Sequence, residues 1–307
     1  MARPKFTLYE LLGWNPSLGF LQAEDFKPMQ TQEARTLVRN LVESTPDKYD
    51  KSISRFATGI ITQIVAGHRI TSDDDPYLRM SNMIYEAMSK TGPPGSSPID
   101  FFPLLQHFPL WFPGTSHMDV EQQQVGEAMP SFVLEKLEQM KEGDDEENLK
   151  GAAATMFGAG EATTWTTLSI FILAMVLHPE CQAKAQEQID SVVGGLRLPD
   201  FEDRDDLPLV EGILQETLRW NPGVPLGLPH RAMEDDFYRG MFIPKGSLIF
   251  ANIRGMALEE SVYSNPESFN PERYIPKPAG KGEPYFSNVP FGFGRRISDG
   301  RAYQSSD

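Results

Sequence analysis

Between Gly151 and Leu177 the chain carries a single charged residue, Glu161, and from Leu168 to Leu177 it is almost entirely apolar. No other stretch restricts the fold so strongly. Such a run has to leave water, inside a protein core or across a bilayer. Its first half is rich in Gly, Ala and Thr, and its strongly apolar part is too short to cross hydrocarbon. The expectation is a long core helix from about Asn148 to His178, with a membrane span as the rival. The N-terminal residues Met1 to Glu10 contain no sustained apolar stretch, so neither a signal peptide nor an anchor is expected there.

Composition narrows the class. Of 307 residues 40% are apolar, and 28 basic against 43 acidic residues give a net charge of −15. That is a globular composition, and the absence of a dense basic run argues against nucleic acid as a partner. Cys181 is the only cysteine, which excludes an internal disulfide and a Cys₄ zinc or iron–sulfur site and leaves only single-thiol chemistry open.

The first part reads as helical, with Ile53, Phe56, Ile60, Ile61, Ile64 and Val65 on one face. Asp73 to Pro76 and Thr91 to Pro98 read as loops, and the aromatic cluster from Phe101 to Phe112 must be buried. A helix is expected around Val120 to Met140, closed by a solvated charged turn at Lys141 to Glu147. Pro179 ends the long helix and opens another, on which Cys181, Ala185, Ile189 and Val192 form an apolar stripe. Cys181 is then a small buried hydrophobe. A further helix from Asp206 ends before Asn221-Pro222-Gly223, and the turn Pro244-Lys245-Gly246 predicts a hairpin between Phe237–Ile243 and Ser247–Ile253.

Several chemistries are absent: there is no nucleophile elbow, no His-Glu-x-x-His helix, and no metal-ligand spacing among the five histidines. Three weak motifs remain, in order. Glu216-Thr217-Leu218-Arg219 places opposite charges at i, i+3 and alone reads as a surface ion pair. Asn270-Pro271-Glu272-Arg273-Tyr274 follows, and then Phe291-Gly292-Phe293-Gly294-Arg295-Arg296-Ile297-Ser298-Asp299-Gly300.

In this order and spacing the chain resembles the cytochrome P-450 family of haem-thiolate mono-oxygenases, in its microsomal, fungal branch. The resemblance implies a mainly α fold with a small β part, a cytochrome P-450 fold incomplete at both ends, as one domain over 1–307. It implies haem b as cofactor, an apolar small molecule as substrate and NADPH-cytochrome reductase as electron donor. Glu216 and Arg219 match the family's Glu-x-x-Arg helix, and Arg273 matches the arginine of its Pro-Glu-Arg-Phe element. One glutamate shared by two fork-shaped guanidiniums would lock the haem loop. Ala159-Gly160-Glu161-Ala162-Thr163-Thr164 resembles the oxygen-activation segment, with Thr163 as the residue that hydrogen-bonds iron-bound oxygen and Glu161 as the acid beside it. The family's acid directly precedes the threonine; here it stands one residue earlier, about 200° around the helix from Thr163. His230 and Arg296 match positions that hold the haem propionates, and Phe291, Gly294 and Gly300 match the loop around the iron.

At the axial cysteine of that loop this chain has Ser298. A serine hydroxyl does not donate electron density to iron as a thiolate does, so impaired or absent mono-oxygenase activity is expected. The family's Trp-x-x-x-Arg helix is also missing between Phe20 and Phe26, and seven residues follow Gly300. Intact relatives belong to the endoplasmic reticulum membrane, whereas this chain shows no anchor and is expected in the cytoplasm. The rival reading is a non-catalytic remnant or interaction protein that binds no haem.

Overall fold

The computed structural model describes residues 19–82 and 146–293. The expected loop at 91–98, the aromatic cluster at 101–112, the helix at 120–140 and most of the charged turn lie outside the described residues. So do Gly294, Arg296, Ser298 and Gly300. The chain forms two compact units, Met1–Trp165 and Thr166–Asp307.

In the first unit, helix α1 (Gly19–Glu43) packs along α2 (Tyr49–Ala66). The α2 helix stops at Gly67, whose φ of 62° and N–H bond to the Gln63 carbonyl form a left-handed cap. Its buried stripe is Ile53, Ala57 and Ile61, joined by Thr58 and Thr62, while Phe56, Ile60 and Ile64 are only half-buried. The inner face of α2 thus carries small polar residues beside its apolar ones. After a turn, residues 76–82 are helical; Asp75 accepts bonds from the Tyr77 N–H (3.0 Å) and pairs with His68 Nε2 (2.9 Å), and the His68 and Tyr77 rings stack.

Helix α3 (Glu146–Leu177) is the long apolar helix, ending where Pro179 excludes helical geometry from His178. Among the described residues Phe157–Leu177 alone is long and apolar enough to cross a membrane. Here it packs as a helix of a folded unit at both ends. Phe157 joins Ile61, Tyr77 and Met80 in one core, and Ala174 and Met175 join Ala185, Leu209, Ile213 and Phe269 in another. A methyl group on Gly160 would stand 2.6 Å from the Ile61 side chain, so the two helices approach at a residue without one. Phe171, Leu173, Val176 and Leu177 remain exposed.

In the second unit α4 (Pro179–Val192) buries only Ala185 fully, Cys181 is half-buried and Val192 is exposed, a narrower stripe than its spacing implies. A 3₁₀ turn (Phe201–Asp206), closed by a capping box between Asp200 and Asp203, leads into α5 (Pro208–Trp220). Pro208 opens α5 and Pro222 bars the preceding Asn221 from continuing it. Leu209 and Ile213 face the core beside α4. Leu218 faces a second core of Ile253, Ala257, Tyr263, Tyr274 and Phe286. The helix is thus covered on several sides, and its polar residues Gln215, Glu216 and Arg219 are buried with the rest.

The β part differs from the expected hairpin. β1 (His230–Arg231) pairs antiparallel with β4 (Leu248–Ile249), and β2 (Asp236–Tyr238) pairs with β3 (Met241–Ile243). The hairpin turn is Arg239-Gly240, with φ of 50° and 80°, the double positive geometry whose twist matches paired strands. Pro244-Lys245-Gly246-Ser247 is a turn as well, with Gly246 at φ 90° and the Ser247 N–H bonded to the Pro244 carbonyl. It steers the chain to β1 instead of folding it back on β3. A short helix, α6 (Ile253–Ala257), capped by the Asn252 side chain, and 3₁₀ turns at Pro271–Tyr274 and Phe286–Asn288 complete the unit. The mainly α fold with a small β part holds.

Gly212 sets how closely α5 meets the Pro271–Tyr274 turn, since a methyl group there would lie 2.6 Å from the Pro271 carbonyl oxygen. Alanine at an exposed helix site gains about 1 kcal/mol over glycine. At this site Gly212→Ala is expected to lose about 1–3 kcal/mol instead, because backbone has to move. Urea unfolding decides: a stabilised variant would mean that the two elements do not touch as described.

Candidate functional site

A carboxylate with no access to water keeps its charge only if its oxygens are met by donors. Glu216 is such a group. The Arg219 guanidinium grips it through Nε to Oε2 and Nη2 to Oε1, both at 2.8 Å. The Asn270 N–H (2.8 Å) and Arg273 Nε (3.1 Å) donate to Oε1, and the Tyr274 hydroxyl donates to Oε2 at 3.0 Å. Glu216, Arg219 and Arg273 are all fully buried, so the pair on α5 is no surface ion pair.

The rest of each guanidinium is used too. Arg219 donates to the carbonyls of Ala257, Pro266 and Ser268, and Arg273 to those of Ser264 and Ser268. Arg273 Nη1 also meets Glu283 Oε2 at 2.6 Å. Glu283 in turn accepts from the Ser264 N–H (3.1 Å) and hydroxyl. Two carboxylates and two guanidiniums therefore balance. Burial alone would lower the Arg219 pKa, but the Glu216 carboxylate raises it above its ordinary value. Burial likewise pushes Tyr263, beneath the Arg219 guanidinium, up to about 12, and Tyr274 further up with Glu216 adding to the effect. For Glu283, burial works against the charged form, and the bonds from Ser264 and Arg273 outweigh it and hold the carboxyl below its usual range.

The structure thus brings Glu216, Arg219 and Arg273 together. Sequence reasoning did not find Glu283, nor the hydroxyl of Tyr274 as a donor. The signal for Tyr274 was present, as tyrosine where the related element carries phenylalanine. Glu283 gave none, lying ten residues beyond Arg273 in an irregular segment.

Thr163 and Glu161 belong to the other unit. Thr163 is exposed and its hydroxyl donates to the Ala159 carbonyl at 2.8 Å; Thr164 does the same to Gly160 at 2.7 Å. Glu161 turns instead to the Phe157 side of the helix, where it is buried near Ser81. Burial pushes its carboxyl up, and Ser81 opposes this in part. It lines a cavity of about 30 Å³ with Asp50, Ser54, Asn82 and Trp165, room for about one water. The acid and the threonine lie on different faces of α3.

For a haem edge the second unit offers His230, exposed on β1, with Val224, Leu226 and Leu228 before it also exposed. Apolar side chains leading to a donor suit an apolar ring with carboxylate edges. Phe291 is half-buried and Gly292 has φ 85°, so the described start of the glycine loop takes a conformation suited to glycine. The axial position does not fit. Ser298 supplies a hydroxyl, and Cys181 is no replacement: it packs against the core beside α5, and burial first, then Glu180, push its thiol pKa up, away from thiolate.

Arg273→Leu takes one of the five donors from buried Glu216, leaving a net negative charge there, and removes the cation paired with half-buried Glu283; it is expected to cost about 3–5 kcal/mol, whereas Tyr274→Phe costs about 1 kcal/mol. Denaturant titration checks both, and a neutral Arg273→Leu would contradict the burial. Because the Glu161 pKa is raised in the fold, its contribution is present below the ordinary value of 4.5 and lost as pH rises through the folded value. Glu161→Gln is therefore expected to raise the melting temperature at neutral pH and to leave it unchanged at about pH 4; equal shifts at both would remove that account.

Residues 15–301 match the Cytochrome P450 family. The chain is 39% identical to cytochrome P450 monooxygenase 136 of Postia placenta over 91% of its own length and 57% of the relative's. It is 36% identical to monooxygenase 176 of the same fungus, over 92% and 59%. A third relative, claR of Ampulloclitocybe clavipes, is 35% identical over 90% and 55%. The chain thus spans somewhat over half the length of these relatives. With a matched family covering most of its residues and the Glu216–Arg219–Arg273 cluster formed, the chain belongs to the cytochrome P450 family, the haem mono-oxygenases.

Proposed function

We propose that this chain is a cytochrome P450 scaffold that binds haem b through edge contacts and does not support thiolate-driven oxygen activation. The observation that carries the reading is Ser298, which stands where the family's loop places its cysteine. A thiolate ligand favours O–O cleavage by pushing electron density toward the iron. A hydroxyl offers no such density, and the one thiol in the chain is committed to packing on α4.

On this reading His230 and Arg296 hold the propionates, Phe291, Gly294 and Gly300 shape the loop, and Glu216, Arg219 and Arg273 fix the frame behind it. Thr163 is the hydroxyl nearest to the family's oxygen-activation role, and Glu161 is not its proton relay, because it faces the opposite packing surface. An apolar small molecule as substrate and a reductase as electron source are properties we assign to the longer, thiolate-bearing members, and by extension to the ancestry of this chain. The second reading, a protein that uses the helical surface without haem, draws on the same serine.

Hemin titration of the full chain separates the two. Saturable one-to-one binding without thiolate spectral features is expected, with His230→Ala weakening it several-fold. No saturable binding would support the second reading and overturn the first.

A further inference from the structure

Gln215 is almost fully buried on α5, one residue before Glu216, and its amide is used at both ends. Its Nε2 donates to Glu211 Oε1 at 2.8 Å, and its Oε1 accepts the Ser287 N–H at 3.0 Å. Ser287 lies in the 3₁₀ turn Phe286–Asn288, whose preceding residue, Tyr285, provides no side-chain cap. The first N–H groups of a helical turn have no partner within it. Gln215 supplies the missing acceptor from a different element.

The amide's orientation is fixed by chemistry. Glu211 is paired with Arg204 through Nε (3.0 Å) and Nη2 (2.8 Å), and its carboxylate only accepts. The NH₂ end of Gln215 therefore faces Glu211, which leaves the oxygen for Ser287. Beyond Ser287 local bonds carry the position forward: the Val289 N–H meets the Phe286 carbonyl at 2.9 Å, and the Gly292 N–H meets the Val289 carbonyl at 3.2 Å. Phe286 itself is fully buried against Leu218 and its neighbours. The run from Ser287 reaches Phe291, where the glycine loop begins.

We propose that Gln215 is a positioning residue for the glycine loop, clamping its start to the same helix that carries Glu216 and Arg219. Its meaning for a prosthetic group rests on the haem reading above; the clamp itself does not. The helix would then hold the frame with its charged pair and the loop with its neutral amide.

Amide hydrogen exchange on the full chain tests it. Gln215→Leu, similar in size and without polar atoms, is expected to speed exchange of the Ser287 N–H by at least about tenfold, with the amides of α5 unchanged. Gln215→Met, which also lacks an acceptor but is unbranched and adapts to its surroundings, is expected to give the same selective acceleration at Ser287. Unchanged exchange in Gln215→Leu would overturn the proposal, as would equal acceleration throughout α5, the mark of general loosening. If Gln215→Leu does not fold, Gln215→Met decides: selective acceleration at Ser287 supports the clamp and unchanged exchange overturns it. Where the parent chain binds hemin, Gln215→Leu is expected to bind it several-fold more weakly, and equal affinity would refute the loop role. Where the parent binds none, the haem reading fails, and Ser287 exchange still judges the clamp.

Discussion

The second unit is organised around one carboxylate. Moving Glu216 out of water costs several kcal/mol, and its attraction to a single arginine would not recover that unless further donors met its oxygens. Five donors do so, drawn from α5, from Asn270 and from the Pro271–Tyr274 turn. That requirement fixes the turn against the helix, and Gly212 permits the approach. Arg219 and Arg273 extend the same demand to the carbonyls of residues 257–268, so irregular chain with little regular hydrogen bonding is held by side chains. Glu283 closes the charge balance.

The bonds of this frame are made among residues 216–283, upstream of the glycine loop. On the proposed reading, serine at position 298 changes the chemistry of the loop and leaves this packing in place. Cys181 illustrates the point from the other side. It is the only thiol in the chain, and its surroundings favour the neutral, packed form.

Much of this was legible in the sequence where a signal is local. The long α3 helix follows from its missing charges, the end of α3 and the start of α4 follow from Pro179, and the end of α5 follows from Pro222. The roles of Glu216, Arg219 and Arg273 were legible by residue type and order, although distance in sequence hid that all three are buried. The β pairing was not, because two turns compete within ten residues. Arg239-Gly240 matches the twist of a hairpin, while Pro244–Ser247 redirects the chain. Gln215 and Glu283 were invisible for a different reason: they act through single side-chain bonds to irregular segments, Gln215 on Ser287 and Glu283 on Ser264 and Arg273, which leave no periodicity.

On the proposed reading the P450 frame is intact at Glu216, and serine stands at position 298 where the family places its axial cysteine. The direct measurement is the reduced, CO-bound difference spectrum of the hemin-loaded chain beside Ser298→Cys. The parent is expected to lack the thiolate band at about 450 nm, and Ser298→Cys is expected to acquire it. A parent chain that shows that band itself would contradict the account.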